Sequence, residues 1–292
     1  MLLETTLDDW RQWDKVKELI VPLDEWCFRG QGDSTWGLKT TLERPFVKSP
    51  TLKEFVFGEN QFQREKKILF HFKRGAHNYT SNLPKNDNDN LEWLSLIQHY
   101  GGLTRLLDFT YSLYIAAYFS ITSAVKQATI WAINLPILEE KLRHDFSIQY
   151  TSHEEKIIRH QKIASTFIDN ESAMVNYIFN VEPSHLNDRM SLQRGLFLFP
   201  CNIEDPFEYN LMNMFDLKHD NILNNTNKIP FDEIDTHKLI KYLVLKINLP
   251  KITHNAIRYD LIKMNITSAT LFPGLDGFAR SLAQYLYKSY KL

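Results

Sequence analysis

The sequence predicts an α+β fold: one domain spanning 1–292, with a central mixed or antiparallel sheet flanked by helices. Three observations predict it. Short strand-like runs (Glu25–Arg29, Thr129–Leu135, Leu196–Phe199, His237–Asn248) fall irregularly among segments of helical period. No internal repeat or low-complexity tract divides the chain. Its 292 residues, 43% of them hydrophobic, suffice for a sizeable core.

Composition narrows the partners. Thirty-four Lys and Arg against 35 Asp and Glu give a net charge of −1, so no global basic field gathers nucleic acid and only a local basic groove stays open. Aromatic residues at 13% argue for a substantial core and for stacking surfaces. Cys27 and Cys201 have neither metal nor redox spacing, which points to a reducing compartment, the cytoplasm. MLLETTLDDWRQW lacks the basic and apolar regions of a signal peptide. The uncharged run Phe109–Val125 is short for a bilayer and carries Ser, Thr and Tyr, so it reads as a buried helix.

In chain order, Thr6 is expected to cap a helix over 6–20, with Asp8 and Asp9 in its first turn and Trp10, Trp13, Val16 and Ile20 on one face. Glu25–Arg29 reads as a strand running into a Gly30-Gln31-Gly32-Asp33 turn. Arg29 at that strand end is either a surface ion-pair partner or a site residue. Trp36-Gly37-Leu38 reads as extended. A helix opens at Pro50-Thr51 and continues to Ala76, with Glu65 read as a solvated salt-bridge residue. Residues 80–90 form a polar loop.

Leu91–Lys126 is the informative stretch: a helix to Tyr100, a Gly101-Gly102 stop, an extended Thr104–Asp108, and a second helix from Phe109. Each polar residue here has a plain structural reading. Thr110 is a helix cap, Arg105 pairs with Asp108, and His99 is a satisfied core histidine. Their concentration between apolar flanks also suits the wall of a site. His153, Glu154 and His160 are close in sequence without an HExxH spacing, so no metal is expected. Glu171–Phe179 reads as a helix. Gln193, at the mouth of the Leu196–Phe199 strand, is an edge polar residue or a site residue. A polar loop covers 216–236, a helix follows Pro250 to Met264, and an amphipathic helix closes the chain within 271–290.

Four segments resemble the FRG-domain family, named for a Phe/Tyr-Arg-Gly motif. They are Phe28-Arg29-Gly30-Gln31 with Trp36-Gly37-Leu38; Gln98-His99-Tyr100-Gly101 through Thr104-Arg105-Leu106-Leu107-Asp108-Phe109-Thr110 and on to Ala116-Ala117-Tyr118-Phe119-Ser120; Arg189 with Gln193-Arg194-Gly195-Leu196-Phe197; and Leu271-Phe272-Pro273-Gly274-Leu275-Asp276-Gly277. Gly102 is an extra glycine relative to that pattern.

The resemblance implies a fold similar to the ADP-ribosyltransferases and NAD as substrate. It implies a macromolecular acceptor, protein or nucleic acid. It also implies a bacterial or phage role as a toxin or antiphage-defence effector, with an antitoxin or regulatory protein as a further partner and no membrane partner. On it, Arg29 corresponds to the first motif of that fold, Thr110 to the second and Gln193 to the third, where a Gln stands in place of the usual catalytic Glu. The catalytic set it suggests is Arg29, His99, Thr110 and Gln193, and the NAD-binding set is Arg29, Gly30, Gln31, Tyr100, Arg105 and Tyr118. Arg29 and Arg105 suit phosphate, Tyr100, Tyr118 or Phe109 suits stacking on nicotinamide, and His99 or Asp108 suits a general base. The alternatives are a non-catalytic FRG module that binds a nucleotide, RNA or protein, and a hydrolase using Asp, His and Glu side chains.

Overall fold

The segment ATIWAIN is apolar at nearly every position, and in the computed structural model all seven of its residues are buried. A strand covered on both faces must lie inside a sheet with a layer on each side. The structure describes residues 2–23, 25–44, 60–217 and 226–286.

The strands are β1 (Leu2–Thr6), β2 (Trp26–Gln31), β3 (Leu107–Thr110), β4 (Ala128–Asn134), β5 (Ile178–Val181), β6 (Gly195–Pro200), β7 (Asn227–Lys228) and β8 (Val244–Leu249). Together they form one mixed eight-stranded sheet in the order β5-β6-β3-β2-β4-β8-β1-β7. β1 runs parallel to β8 and β7, and the other pairings are antiparallel.

The helices are α1 (Gln12–Ile20), α2 (Gln61–Ala76), α3 (Asn90–His99), α4 (Leu113–Thr122), α5 (Leu135–Phe146), α6 (His153–Asp169), α7 (Asp188–Leu192), α8 (Phe207–Asn213), the single turn Thr236–Leu239, α9 (His254–Lys263), α10 (Ser268–Leu271) and α11 (Leu275–Ser281). Alternation along β4 separates two core layers. Ile130 and Ala132 join Val16, Ala116 and Ile257 on one face, and Trp131 and Ile133 join Leu138 and Phe207 on the other. A third cluster packs α2, α3 and α6 against Phe179, Phe197 and Phe199 at the β5–β6 end of the sheet. Among the described residues no helix is long and apolar enough to cross a membrane.

Several boundaries differ from the sequence reading. Thr6 ends β1 and caps nothing; the helix starts at Gln12, with Trp13, Val16 and Ile20 buried as their period requires and Trp10 half exposed. The N-terminal strand was hidden because LLETT has no strand alternation of its own and is set by pairing with β8. α2 starts at Gln61 because the Asn60 side chain accepts from the Gln63 N–H; the earlier part of the expected helix, 50–59, lies outside the described residues. Phe109 and Thr110 are strand, and α4 begins only after Ser112, whose hydroxyl accepts from Ile115 N–H. Within Glu171–Phe179 only Glu171–Ala173 is helical, a 3₁₀ turn, and Ile178 already belongs to β5. The final strand begins at Val244, after a helical turn at Thr236–Leu239.

The Gly101-Gly102 stop has a definite geometry. Gly101 takes φ +80°, Gly101 N–H donates to Gln98 O and Gly102 N–H donates to Ile97 O at 2.8 Å. This is a Schellman termination. The extra glycine follows from packing: a Cβ on Gly102 would lie 2.5 Å from Ile97 Cγ2.

Candidate functional site

β2 pairs with β4 from Trp26 to Gln31, but it meets β3 at a single position, Phe28 opposite Thr110. Beyond Phe28 the two strands part, and a cleft of about 660 Å³ is lined by Arg29–Gly32 on one side and Asp108–Thr110 on the other. The Arg29 side chain spans the parting. Its Nη1 donates to Asp108 O at 2.7 Å and lies 3.9 Å from Asp108 Oδ2. Its Nε is buried with no partner among the described residues. Burial pushes the guanidinium down to about 10, against the pull of Asp108 and with the push of Arg44, so it stays a cation at neutral pH.

Gly30 and Gln31 also line the cleft. A Cβ on Gly30 would sit 1.9 Å from Ala116 O and 2.6 Å from Ser120 N, so α4 lies directly on the strand and only glycine fits. Gln31 is buried; its Nε2 donates to Gly37 O and its Oε1 accepts from Trp131 Nε1. Both ends of that amide hold protein, so its role is to anchor the loop after β2. That strand runs on to Gln31, opposite Thr129, and Arg29 is therefore not its last residue.

The polar residues around Gly101 form a network. Gln98 Oε1 accepts from Thr104 Oγ1 at 2.7 Å and Thr41 Oγ1 at 3.2 Å, while Gln98 Nε2 donates to Asp108 Oδ2 at 2.7 Å. His99 lines the cleft edge-on to Tyr100. Burial lowers its pKa, Arg189 lowers it further and Asp188 opposes them. The ring is therefore neutral at neutral pH and keeps an acceptor nitrogen.

Thr110 and Gln193 also line the cleft and touch each other. The Thr110 hydroxyl donates to Gln193 O at 2.7 Å and accepts from Ser112 N–H at 3.0 Å. Gln193 caps α7, and its Nε2 donates to Leu271 O at 3.0 Å. Arg189 on α7 stacks on the Phe272 ring at 4.6 Å, with Arg280 at 4.7 Å from the same ring and Phe119 edge-on to it. The Leu271–Gly277 segment thus supports this wall from behind.

Three expected ligand contacts are corrected. Arg105 is 1% exposed and lies outside the cleft. Its Nε donates to Glu65 Oε2 at 2.8 Å, and its guanidinium lies over Phe199. Its ion-pair partner is therefore Glu65 rather than Asp108, and Glu65 is itself buried rather than solvated. Tyr100 is 63% exposed and does not line the cleft. Tyr118 also points elsewhere, with its hydroxyl against Ser268 Oγ. Helical spacing places a residue on a face, but it does not say which of two neighbouring clusters that face meets. His153 and Glu154 sit in the exposed first turn of α6, while His160 is buried against Asn180 O. Among the described residues no group of three or more His, Cys, Asp or Glu is placed to hold a metal.

Sequence reasoning missed Lys39, Arg44, Arg189, Trp36 and Phe119 as wall residues. Arg189 lies in a resembling motif segment, which was a signal; Lys39 and Arg44 have no sequence pattern to mark them. Among the described residues, Arg29, Lys39, Arg44 and Arg189 give four cations lining the cleft against one carboxylate, Asp108. Aromatic side chains add stacking surface.

The cleft combines cationic and aromatic side chains in a parted α+β sheet. Residues 24–129, from the start of β2 into β4, match the family model described as FRG domain. The match includes Arg29, His99, Asp108 and Thr110 and leaves Arg189 and Gln193 outside it. No curated protein and no solved structure matches the chain.

Proposed function

We propose that the cleft binds NAD and that the protein is an ADP-ribosyltransferase-like enzyme, in fold and in chemistry, acting on a macromolecular acceptor. The observation that carries this reading is that Arg29, Thr110 and Gln193, from three distant parts of the chain, line one cationic cleft. Arg29 and Arg189 suit the two negative charges of a pyrophosphate, and the buried Nε of Arg29, unpaired among the described residues, is a donor in want of an acceptor. Phe119 and Phe197 offer walls to a flat ring.

In the reaction, the bond between the ribose anomeric carbon and nicotinamide breaks with its electron pair going to the ring nitrogen. An acceptor oxygen or nitrogen forms the new bond, and its proton passes to neutral His99. Asp108 places a carboxylate where positive charge grows on the ribose. Thr110 serves by fixing Gln193, since its hydroxyl is already committed at both ends. A toxin or antiphage role belongs to the same proposal and rests on the family resemblance.

The second reading is a non-catalytic binding module. The amide of Gln193 at the third-motif position favours it, since an amide cannot act as a base. Incubation with isotopically labelled NAD separates the two. Label on a macromolecule, lost in Arg29→Ala with the fold retained, is the expected result. NAD binding without label transfer or nicotinamide release would leave the binding module. Nicotinamide release without label transfer would mean NAD hydrolysis, and no NAD binding or turnover at all would overturn both the transferase and the hydrolysis readings and leave a module for another ligand.

A further inference from the structure

Two arginines suffice for a pyrophosphate, yet the wall carries two more cations, Lys39 and Arg44, on the segment after β2. Trp36, on the same segment, lines the cleft and leaves 55% of its surface exposed. Its indole is therefore open both to the cleft and to solvent.

The segment is pinned rather than loose. Trp36 N–H donates to Asp33 O, and Asp33 Oδ1 accepts from Thr35 N–H and Thr35 Oγ1. Gln31 Nε2 holds Gly37 O, and Leu38 N–H donates to Glu208 Oε1 at 2.7 Å. A Cβ on Gly37 would fall 2.1 Å from that same carboxylate oxygen. Lys39 O accepts from Arg44 Nε and Nη2, which fixes the guanidinium beside the lysine backbone. An exposed indole and two cations thus stand on one hydrogen-bonded stretch. Single-stranded nucleic acid is recognised in this way, with a base stacked on an aromatic face and phosphates on neighbouring cations.

We propose that Trp36, Lys39 and Arg44 form the acceptor subsite, and that the acceptor is single-stranded nucleic acid. This rests on the reading of the cleft as an ADP-ribosyl transfer site. The anomeric carbon is joined to a nitrogen or oxygen of the strand, nicotinamide leaves with the bonding pair, and the acceptor proton passes to His99. With a net charge of −1 the chain has no global basic field, so binding is confined to this patch and is salt-sensitive.

The probe is a short fluorescein-labelled oligouridylate, followed by anisotropy at low salt, with NAD binding measured in parallel by calorimetry. Wild type binds both. Trp36→Ala and Lys39→Glu each weaken oligouridylate binding by about tenfold. Trp36→Phe restores it, and Trp36→Ala costs oligouridylate affinity far more than NAD affinity. Arg29→Ala loses NAD and keeps the oligonucleotide. The proposal is overturned if wild type does not bind oligouridylate, if Trp36→Ala binds it as wild type does, or if Trp36→Ala loses NAD affinity instead. It is also overturned if labelled NAD marks a protein and no nucleic acid. Trp36-dependent oligonucleotide binding without any NAD binding sinks the transfer reading and keeps the nucleic-acid site.

Discussion

Replacing Arg105 separates a structural ion pair from a ligand contact. Arg105 and Glu65 side chains are each 1% exposed, and the guanidinium is shared among Glu65, the Phe167 carbonyl and the Phe199 ring. Arg105→Met removes the cation and leaves a buried carboxylate without its partner, which costs about 3–5 kcal/mol. That is a large part of the 5–15 kcal/mol typical of a folded protein. Glu65→Leu costs a similar amount for the converse reason. The double variant removes both charges and fills the space with methylenes, so most of the loss returns. What remains is about 1–2 kcal/mol, because Glu65 Oε1 also accepts the Arg105 backbone N–H at 3.3 Å and that donor is left bare. Urea unfolding of wild type, both singles and the double gives the coupling energy directly. NAD affinity of the folded fraction should not change. Arg105→Met unfolding within about 1 kcal/mol of wild type, while losing NAD affinity, would refute the argument and return Arg105 to the cleft.

His160 is buried, with Nδ1 against Asn180 O and Nε2 without a partner among the described residues, so its charged form is unfavourable and its pKa falls to about 4. In the unfolded chain it titrates near about 6.5, so stability is full above that value and declines as the pH drops toward about 4. Urea unfolding should show a loss of about 2 kcal/mol between about pH 7.5 and about pH 5, and His160→Gln should lack that part of the slope. Gly30→Ala forces a Cβ to within 1.9 Å of the Ala116 carbonyl, backbone against backbone. It should lower the thermal midpoint by the equivalent of about 1–3 kcal/mol or more; an unchanged midpoint would mean that α4 does not seat there as described.

How much could be read from the sequence followed from the range of each interaction. β4 was legible because the apolar run from Thr129 carries its own pattern. The α3 stop was legible because Gly101 needs a positive φ that its neighbours do not. The parting of β2 from β3 was not legible, since one pairing instead of several leaves no trace in either segment. Glu65 was misjudged for a related reason. Its basic neighbours Arg64, Lys66 and Lys67 suggest a solvated face, while its actual partner stands 40 residues away. Arg29, Thr110 and Gln193 were found through motif order, but what each does with its polar atoms needed coordinates.

Those coordinates divide the motif residues by what is left over once the protein's own bonds are made. Gly30, Gln31, Gln98, Arg105 and Thr110 have their space or their hydrogen bonds filled by protein. Arg29 keeps a buried Nε with no partner among the described residues, and His99 keeps a neutral ring on the cleft. Asp108 keeps a side chain 57% exposed. The first group builds the parting of the sheet, and the second faces into it. Arg29 does both: one nitrogen replaces a missing strand contact at Asp108 O, and another stays unpaired. A lysine there can reach the carbonyl with its single ammonium but has no second, fixed donor to present. Arg29→Lys should therefore retain more stability than Arg29→Ala and yet bind an anionic ligand almost as poorly. Parallel melting and NAD titration would reveal that split, and a lysine variant with full affinity would remove the argument for a forked contact.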